Sequence, residues 1–169
     1  SFFEAYKDGD YKKAIVLGNK LLQIYAENDD CDCIEYTVDM SNLAMVFDRL
    51  QLYPQAEKYY KQAAELKKRC GGESLSYADT LNNLAIVYNQ TNRQTEALRL
   101  HRKVMEIREA KLGREHVDFL HSLYHIGNTY ELLGEYDKAI EYHAMALRNN
   151  TFSTLELADV HGALARAYE

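Results

Sequence analysis

Two imidazoles four residues apart, His121 and His125, fall on one face of any helix that carries them. A zinc site or a general base can be built on such a pair. Ser122 follows His121 where an H-E-x-x-H site has its glutamate, and only Asp159 and His161 in a later segment offer further ligands. The reading favoured by spacing is that His121 and His125 line a binding surface as hydrogen-bonding groups. A metal or catalytic site around them is the alternative. The run Asn28-Asp29-Asp30-Cys31-Asp32-Cys33 concentrates acid and thiol. A calcium loop starting at Asp30 needs glycine at its sixth place and glutamate at its twelfth, which hold Glu35 and Ser41. Cys31 and Cys33 alone supply half a zinc site. With Cys70 they make an odd count without framework spacing, so three free thiols in a reducing, cytoplasmic setting are expected. Phosphate-cradling glycine motifs and a G-x-S-x-G nucleophile are missing. The chain is therefore expected to be no enzyme and to need no cofactor or metal.

Composition narrows the partners. Of 169 residues, 47% are hydrophobic and 27% charged, which suits a folded, water-soluble chain. The net charge of −6 and the lack of a basic stripe argue against nucleic acid and against anionic membrane surfaces. The longest basic cluster, Lys67-Lys68-Arg69, fits a helix C-terminus, where cations favour the dipole. No apolar run is long enough for a transmembrane helix, and the first residues lack a signal-peptide layout. A single proline predicts uninterrupted helices.

The elements that position these residues come from a repeat. Ala14, Ala56, Ala97 and Ala139 lie 42, 41 and 42 residues apart. A second marker runs upstream of the last three: Asn42-Leu43-Ala44, Asn83-Leu84-Ala85 and His125-Ile126-Gly127, with Ala163-Leu164-Ala165 ending the series. Each unit reads as two helices. Leu81, Leu84, Ala85 and Tyr88 stripe the first; Ala97, Leu100, Val104 and Ile107 stripe the second. Gly9, Asn92 and Gly134 occupy one position in the short turn inside the unit, where a left-handed residue can end a helix; Gln51 stands there in the remaining copy. Longer connectors between units offer glycine or asparagine stops and then Ser or Thr caps. No segment alternates with period two, so strands are not expected.

Leu84-Ala85-x-x-Tyr88 with Ala97 nine residues on resembles the tetratricopeptide repeat. The period of 41–42, Leu81-Asn82-Asn83-Leu84-Ala85, and Met105 to Glu109 followed by Leu112-Gly113 and His116 resemble its kinesin light chain branch. The resemblance implies an all-α, right-handed superhelical solenoid of antiparallel helix pairs, with first helices lining a concave groove. His101 and His143 then sit where the repeat carries a bulky inter-helix packing residue. The expected organisation is one array over 1–169: a half repeat at 1–30, repeats at about 34–74, 75–116 and 117–152, and a half repeat at 153–169. It is expected to be part of a longer array, whose uncapped ends offer a route to self-association.

With the stripe residues inward, the opposite first-helix face presents Asn42, Met45 and Arg49, then Asn82, Asn83, Ile86 and Asn89. The next repeats add His121, Tyr124, His125 and Asn128, with Arg166 beyond. Asparagine offers both a donor and an acceptor, so a row of asparagines can bond the backbone of an extended peptide. This row resembles the peptide-holding row of kinesin light chains. The expected function is a non-enzymatic module that binds a peptide or protein segment in the groove. The remaining alternative is a structural or regulatory array of a larger signalling protein.

Overall fold

The computed structural model describes residues 2–27 and 33–147. Among them the regular elements are helices alone: α1 Phe2–Lys7, α2 Tyr11–Ala26, α3 Cys33–Arg49, α4 Tyr53–Gly71, α5 Leu75–Gln90, α6 Gln94–Leu112, α7 Val117–Leu132 and α8 Tyr136–Ala146. The Asn28–Cys33 thiol loop and Arg166 lie outside the residues whose side chains are described. The sole proline, Pro54, sits in the first turn of α4, where its missing N–H would be unsatisfied anyway. No helix among the described residues is long and apolar enough to cross a membrane.

Two compact units divide the chain inside α5, residues 1–87 and residues 88–169. In the first, α1 packs on α2, α2 on α3 and α3 on α4. In the second, α7 packs on both α6 and α8.

The turn that closes each helix pair is built four times in one way. Its central residue is left-handed in every copy: Gly9, Gln51, Asn92 and Gly134, with φ of 73°, 58°, 58° and 75°. The next residue's N–H then reaches back to a carbonyl five positions upstream: Asp10 to Ala5 at 2.9 Å, Leu52 to Phe47 at 2.9 Å, Arg93 to Tyr88 at 2.8 Å, Glu135 to Tyr130 at 2.9 Å. This is the Schellman closure, which satisfies carbonyls orphaned at a helix end. The expectation of left-handed residues holds at its three sites and extends to Gln51.

Connectors between units start their helices with side-chain caps. Ser74 Oγ accepts from Tyr77 N at 3.2 Å ahead of α5, as the sequence suggests. Ahead of α7 the acceptor is the imidazole of His116, whose Nδ1 takes the Asp118 N–H at 3.1 Å. The chain there offers no hydroxyl, and a ring nitrogen does the same work.

Small residues mark where helix axes approach. Ala14, Ala44, Ala56, Ala85 and Ala97 are fully buried, and Ala139 is nearly so. Overpacking such a position costs at least about 1 kcal/mol. Ala97→Leu should therefore lower the midpoint of urea unfolding clearly. Ala110→Leu, exposed on the same helix, should leave it in place. Equal shifts in the two would show the repeat register to be wrong.

One expectation fails. Cys70 is disulfide-bonded, in a chain whose other cysteines are Cys31 and Cys33. Three free thiols are thus excluded, and the cysteine count gives no support for a reducing compartment.

Candidate functional site

The candidate residues sit on first helices. The period places Gly18, Tyr60, His101 and His143 at one second-helix position, and Asn42, Asn83 and His125 at one first-helix position. In the first unit, Tyr60 is 1% exposed and shares a side-chain hydrogen bond with Asn83. Burial, with Asp48 and Tyr6 nearby, pushes its hydroxyl above the ordinary tyrosine range, so it stays neutral. Asn42 is half-buried and its Nδ2 has no hydrogen-bond partner. The second-helix residue at the matching position is Gly18, which has no side chain to offer.

Met45 and Ile86 are half-buried beside these amides, and Arg49 is exposed. Burial raises the Asp48 carboxyl, against the opposing pull of Arg49. Asn82 departs from expectation. It is 8% exposed, with Oδ1 unpartnered, and lies in the packed part of α5 rather than on an open face. Nine of the sixteen residues of α5 are buried, so the packed arc is wider than the stripe from Leu81 to Tyr88.

In the second unit, Asn89 donates from Nδ2 to Thr129 Oγ1 at 2.8 Å, and that hydroxyl donates to the His125 carbonyl at 2.8 Å. Asn89 Oδ1 is buried without a partner. His125 is half-buried on α7. Its ring stacks on His101, centroids 5.3 Å apart and nearly parallel, and tilts against Tyr124 at 5.8 Å. Tyr124 in turn packs on His143 at 5.5 Å. His121 and Asn128 are half-buried on the same helix. Among the described residues, no group of three or more His, Cys, Asp or Glu is placed to hold a metal ion.

His101 and His143 are each 1% exposed, as expected of packing residues, and neither ring nitrogen of either is hydrogen-bonded. Burial lowers the His101 pKa to about 3, helped by the charges of His125 and Arg108. Burial lowers that of His143 as well, against the pull of Glu131. At neutral pH both rings are therefore neutral.

A further repeated contact escaped the sequence reading. On α4, Lys67 Nζ donates to Thr80 Oγ1 at 2.9 Å and to the Ser76 carbonyl at 3.4 Å, both on α5. On α6, 41 residues later, Arg108 donates to Ser122 Oγ and to the Asp118 carbonyl on α7, both at 3.0 Å. In each case the hydroxyl also donates to that same carbonyl, at 3.1 Å in α5 and 3.0 Å in α7. A cation late in a second helix thus brackets the first turns of the next helix. Burial lowers the Lys67 pKa, opposed by Asp79. Lys67 had been assigned to its own helix dipole. The signal was present as a cation recurring with the period, followed by a hydroxyl in the first turns of the next helix.

Known proteins share this fold. The tetratricopeptide repeat pattern matches residues 4–69, 36–110 and 76–151. No curated protein matches the chain. BtubC (BKLC) from P. vanneervenii superposes with a TM-score of 0.86 at 24% identity, over 97% of this chain and 67% of that one. A Podosopora anserina kinesin light chain-like protein with nearly identical TPR-like repeats gives 0.81 at 20% identity, over 99% and 81%. MamA gives 0.72 at 17% identity, over 98% and 81%. At these identities the likeness is one of fold. With the repeat pattern spanning most of the sequence, the chain belongs to the tetratricopeptide repeat family, an all-α protein–protein interaction module.

Proposed function

We propose that the chain is a non-enzymatic module that holds an extended peptide or protein segment on the faces its first helices present. The observation that supports this best is a set of amide atoms left without partners on those helices. They are the Nδ2 donor of Asn42 and the Oδ1 acceptor of Asn89, both on half-buried residues. An unsatisfied amide costs about 1–3 kcal/mol, and a peptide backbone carries both the acceptor and the donor that would remove that cost. Met45 and Ile86, half-buried beside the amides of the first unit, supply apolar contact of the kind an anchor side chain needs.

The test uses Asn42 and Asn128, which keep part of their surface open, and leaves the buried Asn82 intact. A peptide array of extended sequences selects a binder, and calorimetry compares wild type with Asn42→Ala, Asn128→Ala. Each amide contributes about 0.5–1.5 kcal/mol, so a loss of about 10- to 100-fold in affinity is expected. Unfolding curves should coincide. Unchanged affinity removes this reading; affinity and folding lost together make the two residues structural.

A further inference from the structure

The second unit carries a cleft of ≈ 390 Å³ among α6, α7, α8 and the α6–α7 connector. None of the candidate peptide-holding residues lines it. Its floor is apolar: Met105 from α6, Phe119, Leu120 and Leu123 from α7, and Tyr142 and Met145 from α8. Phe119, Leu120 and Leu123 belong to the unit's core, with Met105, Tyr142 and Met145 partly buried against it. Among the described residues the rim carries Glu109, Glu115 and Glu141 with the guanidinium of Arg114. Arg114 is engaged by Glu109 at 2.6 Å. Together these described residues carry net negative charge above an apolar floor.

That combination selects a partner chemistry. The volume suits a few side chains rather than a docked helix, since pockets for small ligands start at roughly 300 Å³. Two methionines in the walls give an adaptable surface without a fixed shape requirement. Carboxylates around the mouth attract cations and repel acidic segments, which gives specificity as well as faster encounter. We infer that this cleft is a second binding site, for a short peptide segment with a large aliphatic or aromatic side chain flanked by arginine or lysine. The apolar side chain would enter between Met105 and Met145, and the flanking cations would meet Glu141 and Glu115. This inference stands apart from the asparagine faces and survives or fails without them.

The chain's four methionines make the test direct. Met105 and Met145 line the cleft, Met45 lies one turn from Asn42 on α3, and Met40 is buried at 4% exposure. The probe is a blocked peptide of alternating arginine and leucine, titrated into protein with 13C-labelled methionine methyls. The Met105 and Met145 signals should move, with Met40 and Met45 still. Binding should weaken with added salt. Glu141→Lys, alone and with Glu115→Lys, should weaken it about tenfold, because reversal turns attraction into repulsion. Glu65→Lys, an exposed reversal on α4, should change it little, and so should Asn42→Ala with Asn128→Ala. Circular dichroism checks that each variant is folded. The inference is overturned if a glutamate–leucine peptide binds equally well, if Met45 moves in place of the cleft pair, or if Glu65→Lys weakens binding as much as Glu141→Lys. A dimer in light scattering that Glu141→Lys dissolves assigns the cleft to a second copy and overturns it too.

Discussion

Acidification from pH 7 to pH 5 should destabilise the second unit by about 2 kcal/mol through His101 alone, and by about 3 kcal/mol at pH 4. In the unfolded chain this imidazole titrates near its ordinary value of 6.5, whereas in the fold burial holds it at about 3. The folded pKa is the lower one, so between those values the unfolded chain binds the extra proton. Stability is therefore fully present above about pH 6.5 and falls as the pH drops toward 3. The groups facing the ring do not oppose this: His125 and Arg108 both disfavour a second positive charge. His143 has the same sign, with Glu131 working against it. His101→Phe keeps an aromatic ring in the stack and removes the titration. Neither ring nitrogen is hydrogen-bonded, so the substitution strands no bond of its own. Urea unfolding at several pH values between 7 and 5 should show a steep loss for wild type and a flatter one for His101→Phe. Identical slopes would mean that the acid sensitivity resides elsewhere.

The repeat made the position of His101 legible. Its period with Tyr60 and His143 marks an inter-helix packing site, and all three side chains are buried there. Hidden from the sequence was the identity of each partner. Tyr60 meets Asn83 by a hydrogen bond, and His101 meets His125 by ring stacking, at one pair of register positions. Periodicity says which residues share a place. The chemistry of the contact depends on the pair that happens to occupy it. Asn82 failed for another reason, since a stripe of apolar residues defines one buried face and says nothing about how wide the packed arc runs. Lys67 was read only through its own helix dipole, because a cation near a helix end is explained equally well by that dipole and by a hydrogen bond across to the next helix. Only the placement of Thr80 and Ser122 decides between them.

The same register makes the size of a side chain on one helix a function of its opposite number on another. Where first helices carry Ala44 and Ala85, α7 carries Gly127. A Cβ placed on Gly127 would come within 2.6 Å of His143 Cε1 and 2.7 Å of its Nδ1, closer than real contacts allow. The ring cannot swing clear easily, because it is 1% exposed and packed by Tyr124. Glycine inside a helix costs about 0.5–1 kcal/mol relative to alanine, so Gly127 is retained against propensity for the room it leaves.

Gly127→Ala should therefore destabilise the protein in the wild-type background, because overpacking at about 1–3 kcal/mol outweighs the gain in helix propensity. In a His143→Ala background the obstruction is gone. The same Gly127→Ala change should then stabilise, by about 0.5–1 kcal/mol. The sign inverts, and the double-mutant cycle should show a coupling equal to the overpacking cost, about 1–3 kcal/mol, between residues 127 and 143. Chemical denaturation of the four proteins at pH 7.5, well above the imidazole titration, separates this from the acid effect. Additive effects would show that α7 and α8 have enough slack to absorb a methyl group. The glycine would then owe its place to something other than the imidazole ring opposite.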